Sequence, residues 1–73
     1  MDLDRFDKSA LYVDAGVKAE NNGDIQLAMK YYNKAIELNV NNYAAWDAKK
    51  ELLFNLEEFE KAFHIKQQMS VIF

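Results

Sequence analysis

Apolar residues along this chain recur every three or four positions, with polar residues filling the gaps. Ile25, Ala28, Met29, Tyr32, Ala35, Ile36 and Leu38 keep that rhythm and leave Lys30, Asn33, Lys34 and Glu37 largely on the other side. This is the pattern of an amphipathic helix. Ala45, Ala48, Leu52 and Leu53 repeat it in the next segment, and Phe59, Ala62, Phe63, Lys66, Met69 and Ile72 in the last, with Lys66 the odd polar member. No stretch alternates strictly, as a half-buried strand would. Breaks fall at Asn21-Asn22-Gly23-Asp24, at Asn39-Val40-Asn41-Asn42 and, more weakly, at Asn55-Leu56-Glu57-Glu58. Asn and Gly tolerate the left-handed backbone that ends a helix, and Asp caps the start of the next. The spacing therefore predicts helices over about 8–21, 24–38, 43–55 and 58–71. Short connections make successive helices antiparallel neighbours. The expected fold is all-α: four helices forming two stacked antiparallel hairpins.

The two hairpins read as copies thirty-four residues apart. Tyr12 aligns with Trp46, Ala10 with Ala44, Asp24 with Glu58, Ile25 with Phe59, Ala28 with Ala62 and Leu38 with Ile72. A fixed period of this size signals a solenoid, in which one helical unit recurs and buries its apolar face on its neighbour. Residues 1–73 then form a single domain, with repeat one over about 9–42 and a degenerate repeat two over about 43–73.

Repeat one resembles the tetratricopeptide repeat. That family's pattern is met by Tyr12, Ala15-Gly16, Ala19, Gly23-Asp24, Ala28, Tyr32 and Ala35, with Val40 where proline is usual. Repeat two departs from it: Lys49-Lys50 replaces the small pair, Glu57 the turn glycine, and Lys66 stands where an aromatic is expected. Terminal repeats are often atypical because one side faces solvent. The small residues suit close helix approach, so Gly16 and Ala28 are expected where the first two helices touch, with Tyr12 and Tyr32 filling the flanking gaps. An alternative is a three-helix domain of the microtubule-interacting-and-trafficking type, which needs one long third helix running through Asn55-Leu56-Glu57.

Composition narrows the function. The chain has 73 residues, no cysteine, no proline and a net charge of −3. Disulfides and cysteine-ligated zinc are excluded, and a reducing, cytoplasmic setting is the expectation. The nine basic residues are scattered, which argues against nucleic acid, because phosphate recognition relies on clustered Lys and Arg. No run of about 18 apolar residues exists to span a membrane. The first residues, Met-Asp-Leu-Asp-Arg-Phe-Asp, are acidic rather than signal-like.

Catalytic chemistry is hard to find. His64 is the single histidine and falls among polar positions of the last helix, as a solvated residue would. Asp2, Asp4 and Asp7 lack the central glycine and distal glutamate of a calcium loop, and read instead as favouring a helix start. Glu57, Glu58 and Glu60 read as an exposed helix N-terminus rather than an acid/base cluster. The expectation is a non-catalytic protein with no cofactor and no metal.

Two surfaces could do its work. Tetratricopeptide repeats bind peptides in a groove lined by the first helix of each hairpin, and the resemblance implies groove positions at Ala10, Val13, Val17, Glu20 and Asn21, then Ala44, Asp47, Glu51, Phe54 and Asn55. Such a groove is apolar at Val13, Val17 and Phe54 and acidic at Glu20, Asp47 and Glu51. It suits an apolar peptide or protein segment with basic flanks; a merely solvated face stays open beside this. The second surface is the end of the array. The last residues, Gln-Met-Ser-Val-Ile-Phe, are no polar cap, and Phe59, Phe63, Ile72 and Phe73 are expected to form an apolar patch for homo-oligomerisation. Two readings compete with that one: the four residues fold onto their own hairpin, or the chain is cut from a longer array. The sequence expectation is a protein-interaction module, with a structural homo-oligomer as the alternative.

Overall fold

The computed structural model describes residues 3–73, so Asp2 lies outside the described residues. Among those described there are four helices and no strand: α1 (Arg5–Asn21), α2 (Ile25–Leu38), α3 (Tyr43–Asn55) and α4 (Phe59–Ile72). The fold is all-α. α1 pairs with α2 and α3 with α4 as antiparallel hairpins, and α3 also packs on α2 and α1, which stacks the two.

Helix α1 begins a turn earlier than the apolar rhythm predicts. Asp4 is its N-cap, its carboxylate accepting from the Asp7 amide at 2.8 Å. A capping acid satisfies an otherwise orphaned amide and opposes the helix dipole. The apolar pattern fades before Asp4 while the capping pattern does not, which explains the misplaced start. At the same end of the hairpin Arg5 donates Nε to the Leu38 carbonyl (2.7 Å), one of the carbonyls that α2 leaves unpaired at its C-terminus.

The turns inside the two hairpins are built alike, thirty-four residues apart. In the first, the Gly23 amide donates to the Glu20 carbonyl (3.0 Å) and the Asp24 amide to that of Ala19 (2.9 Å). In the second, Glu57 donates to Phe54 and Glu58 to Leu53, both at 2.9 Å. This six-to-one and five-to-two pairing closes a helix with one left-handed residue. Gly23 fills that place with φ 83°, and Glu57 adopts it with φ 62° although it is not glycine. The break separates α3 from α4, so the long third helix of the three-helix alternative does not form. Left-handed backbone costs a residue with a Cβ about 1–2 kcal/mol. Glu57→Gly is therefore expected to stabilise the protein by about 1 kcal/mol, read as a higher urea midpoint with unchanged slope. A lower midpoint would show that Glu57 makes a compensating contact.

Asparagine joins the hairpins. The Asn42 side chain caps α3, accepting from the Ala45 amide at 3.2 Å, and donates Nδ2 to Ser9 Oγ at 2.9 Å. Ser9, fully buried, donates in turn to the Ala35 carbonyl at 2.6 Å. Trp46 donates its indole N–H to the Val40 carbonyl at 2.7 Å, holding the same loop. Every buried polar group in this seam has a partner, as burial requires.

Two apolar clusters hold the stack. Trp46, Leu53, Ala62, Ile65 and Met69 form one, with Met29, Ile36 and Ile72 against it; Ala19, Ala28, Tyr32 and Leu52 form the other, with Ile25, Leu27, Met29, Tyr31 and Ala48 at its edge. The first bears out the expected inner face of α4 at Ala62, Met69 and Ile72 and corrects it at the remaining positions. Ala62, Ile65 and Met69 are buried, whereas Phe59, Phe63 and Lys66 are exposed. The buried face shares Ala62, Met69 and Ile72 with the expected one and is turned toward Ile65, which leaves the aromatics Phe59 and Phe63 outside.

Close approach in the first hairpin also differs in its partners. The space beside Gly16 is filled by the Tyr32 ring: a Cβ built at Gly16 would collide with Tyr32 Cε1 and stand 2.7 Å from its Cδ1. Tyr12 is half-buried against Tyr31, with ring centroids 5.8 Å apart.

Candidate functional site

Helix α3 reaches hairpin one through Ala48 and Leu52, which join the cluster of Ile25, Ala28, Met29 and Tyr32. Those four residues form a socket that α3 shares with α1, whose Ala19 belongs to the same cluster and whose Gly16 lies against the Tyr32 ring. Thirty-four residues later the same positions are Phe59, Ala62, Phe63 and Lys66. They line an open recess of about 520 Å³, completed by Lys50, Glu51 and Phe54. The second hairpin thus presents the counterpart of a socket that is occupied on the first.

Exposure separates the two sockets. Ala62 is buried like its mate Ala28, whereas Phe59 and Phe63 are 53% and 60% exposed where Ile25 and Met29 are half-buried, and Lys66 is exposed where Tyr32 is buried. Phe54, 57% exposed, stands edge-on to Phe59 with centroids 5.2 Å apart. Three neighbouring aromatics left open on a small protein are the kind of surface that marks a contact site. Lys66 stands where Tyr32 stands in hairpin one, and no ion pair engages it among the described residues. Lys50 is committed, at 3.2 Å from Asp47, and that hydrogen bond raises its ammonium above the usual value.

The groove positions read from the sequence are split by this geometry. Glu51 and Phe54 line the socket. The Glu20 carboxylate accepts the Tyr32 hydroxyl at 2.8 Å. Burial first, and that bond second, push the Tyr32 phenol well above its ordinary range. Asp47 is spent on Lys50. Val13 is half-buried, while Ala10, Val17, Asn21, Ala44 and Asn55 are exposed. Two of the three acids that suggested basic flanks are therefore engaged within the chain.

The four residues read as a self-association patch do not form one. Phe59 and Phe63 belong to the socket at the α3–α4 turn. Phe73 lies at the opposite end of that hairpin, edge-on to Tyr43 with centroids 5.3 Å apart. Ile72 packs half-buried against the Trp46 cluster. Antiparallel pairing puts the start and the end of α4 at opposite ends of the hairpin, which the run of apolar letters hides. Lys50, Ala62 and Lys66 were absent from the groove and patch inferred from the sequence. Their signal was the register itself: each stands thirty-four residues after a position of the first hairpin's contact face.

A second recess, between α2 and α4, brings Lys49 beside Met29, Leu53 and His64. Burial holds the Lys49 ammonium below its ordinary value. Among the described residues no group of three or more His, Cys, Asp or Glu could hold a metal ion, and no helix is long and apolar enough to cross a membrane.

No protein-family model matches the chain, and no solved structure does. Over 55 residues it is 42% identical to an uncharacterised protein of Methanocaldococcus jannaschii, a stretch covering 75% of this chain and 64% of that relative. The match thus spans less than two thirds of the relative's length.

Proposed function

We propose that this chain is a non-catalytic protein-interaction module of tetratricopeptide type, and that it works by taking a partner's helix into the socket of its second hairpin. One observation carries the reading: of the four positions that correspond on hairpin two to those packed with α3 on hairpin one, Phe59, Phe63 and Lys66 are exposed and line an open recess. The matched helix-ending turns at Gly23 and Glu57 support the repeat assignment, because they recur at the thirty-four-residue period of that family. An amphipathic helix laid in an apolar groove is a common recognition mode, and it needs no loop rearrangement from the receptor.

The test uses a synthetic peptide of residues 42–56, the chain's own α3 with its caps, titrated into the labelled protein while backbone amide shifts are followed. Shifts should concentrate at Phe54, Phe59, Phe63 and Lys66. Phe63→Asp removes an exposed side chain, so the fold should persist by circular dichroism while binding weakens at least about tenfold, or ~1.4 kcal/mol. Equal binding by Phe63→Asp would place the contact elsewhere and defeat the proposal.

A further inference from the structure

From the charge of the socket we infer the partner's chemistry: a helix of another protein with a small residue where α3 has Ala48, and an acidic residue four positions later, where α3 has Leu52. The inference rests on the helix-in-socket reading above. In hairpin one, Leu52 is buried in a cluster with Tyr32. In hairpin two, the register mate of Tyr32 is Lys66. A helix docked in the same register brings its Leu52-equivalent onto an ammonium group, not an aromatic ring. An aliphatic residue there would desolvate Lys66 without offering a partner, which is unfavourable. A carboxylate offers the pairing that Lys66 lacks among the described residues.

The other charges of the recess leave that preference standing. Lys50 is paired with Asp47, and both stay on α3. Glu51 is exposed, and its register mate in hairpin one, Val17, is 43% exposed and lies outside the cluster that holds α3. The docked helix therefore leaves the Glu51 position on the rim, where a carboxylate meets solvent. Lys66 lines the recess that the helix would enter.

A second copy of this chain is a poor occupant. Propagating the stack would seat α1 of the second copy in the socket, with Asp14 in the place of Ala48 and Lys18 in the place of Leu52. Lys18 would be driven against Lys66, and Asp14 would meet the exposed Phe63. Like charges brought together in a contact of low dielectric repel. The charge of Lys18 thus opposes end-to-end growth of the stack.

Two variants of the 42–56 peptide test this, one carrying Leu52→Glu and one Leu52→Lys. The Glu peptide should bind the intact protein about tenfold more tightly than the Lys peptide, with amide shifts at Phe63 and Lys66. The gap should narrow as salt is raised, as expected for a partly exposed pair. In the Lys66→Glu protein the order of the peptides should invert. Lys66 is exposed, so that variant should fold. Equal affinity of the two peptides, with shifts at the socket, would overturn the charge rule and leave the helix-binding reading intact. No shift at the socket with any peptide would overturn both. Sedimentation of the protein alone decides the occupant: a dimer abolished by Phe63→Asp would mean that a second copy fills the socket, against this inference.

Discussion

Leu52→Ala is expected to remove about 2–5 kcal/mol of stability, the range for deleting a large aliphatic from a packed core. Leu52 is 2% exposed and is the α3 side chain buried with Ala19, Ala28 and Tyr32, so it belongs to the second hairpin but is buried in the first. A small domain with a single core has only about 3–5 kcal/mol in total. The variant should therefore sit near its unfolding midpoint at room temperature, and its two hairpins should lose cooperativity. Amide exchange provides the specific readout, because stacked repeats open in local units when their interface weakens. Protection should fall first in α3 and α4, which have the weaker internal packing. A loss below about 1 kcal/mol by urea unfolding would mean that the Trp46 cluster, rather than Leu52, couples the hairpins.

Gly16→Val should be nearly as damaging, for the opposite reason. A glycine inside α1 costs about 1 kcal/mol of helix propensity relative to alanine, so a substitution that fitted would stabilise. It does not fit: the added Cβ runs into the Tyr32 ring, which is 1% exposed and tethered through its hydroxyl to Glu20. Overpacking of this kind costs about 1–3 kcal/mol, and a β-branched residue belongs at the upper end. Gly16→Ala should lose less, since its propensity gain offsets part of the clash. Thermal melts would read the difference, at about 4–8 °C per kcal/mol for a domain of this size. Tyr32→Leu introduced beside Gly16→Val should recover part of the loss, because the two residues share one contact. Additive losses would show that the valine strains something other than that ring.

Local chemistry made most of the fold legible. Each helix carries its own amphipathic rhythm, and each break carries its own signal: Gly23 for left-handed backbone, Asp24 and Asn42 for caps. The start of α1 was misjudged because a capping aspartate lies outside the apolar pattern that defined the helix. Glu57 shows the converse. Its residue type argues against a left-handed turn, yet the turn forms, because burying Leu53 and Ala62 on a common core brings α3 and α4 into a hairpin and the intervening residue must follow.

The candidate site was only half legible. Phe54, Phe59 and Phe63 stood out by type, but sequence assigned them to two different surfaces, and the antiparallel hairpin brings them into one recess. Ile72 and Phe73 stood out equally and belong to neither that recess nor to each other's surroundings. Periodicity does not decide whether the buried face of α4 turns toward Ile65 or toward Phe59 and Phe63. Helix content, hairpin boundaries and the thirty-four-residue register follow from the order of residues, because they depend on contacts within a few turns of chain. Which way the buried face of α4 turns, which acids are already bonded, and that Lys66 occupies the place of Tyr32 in an unfilled socket depend on how the hairpins stack. Those are contacts between segments distant in the chain, set by the volumes of side chains meeting across an interface that no local pattern encodes.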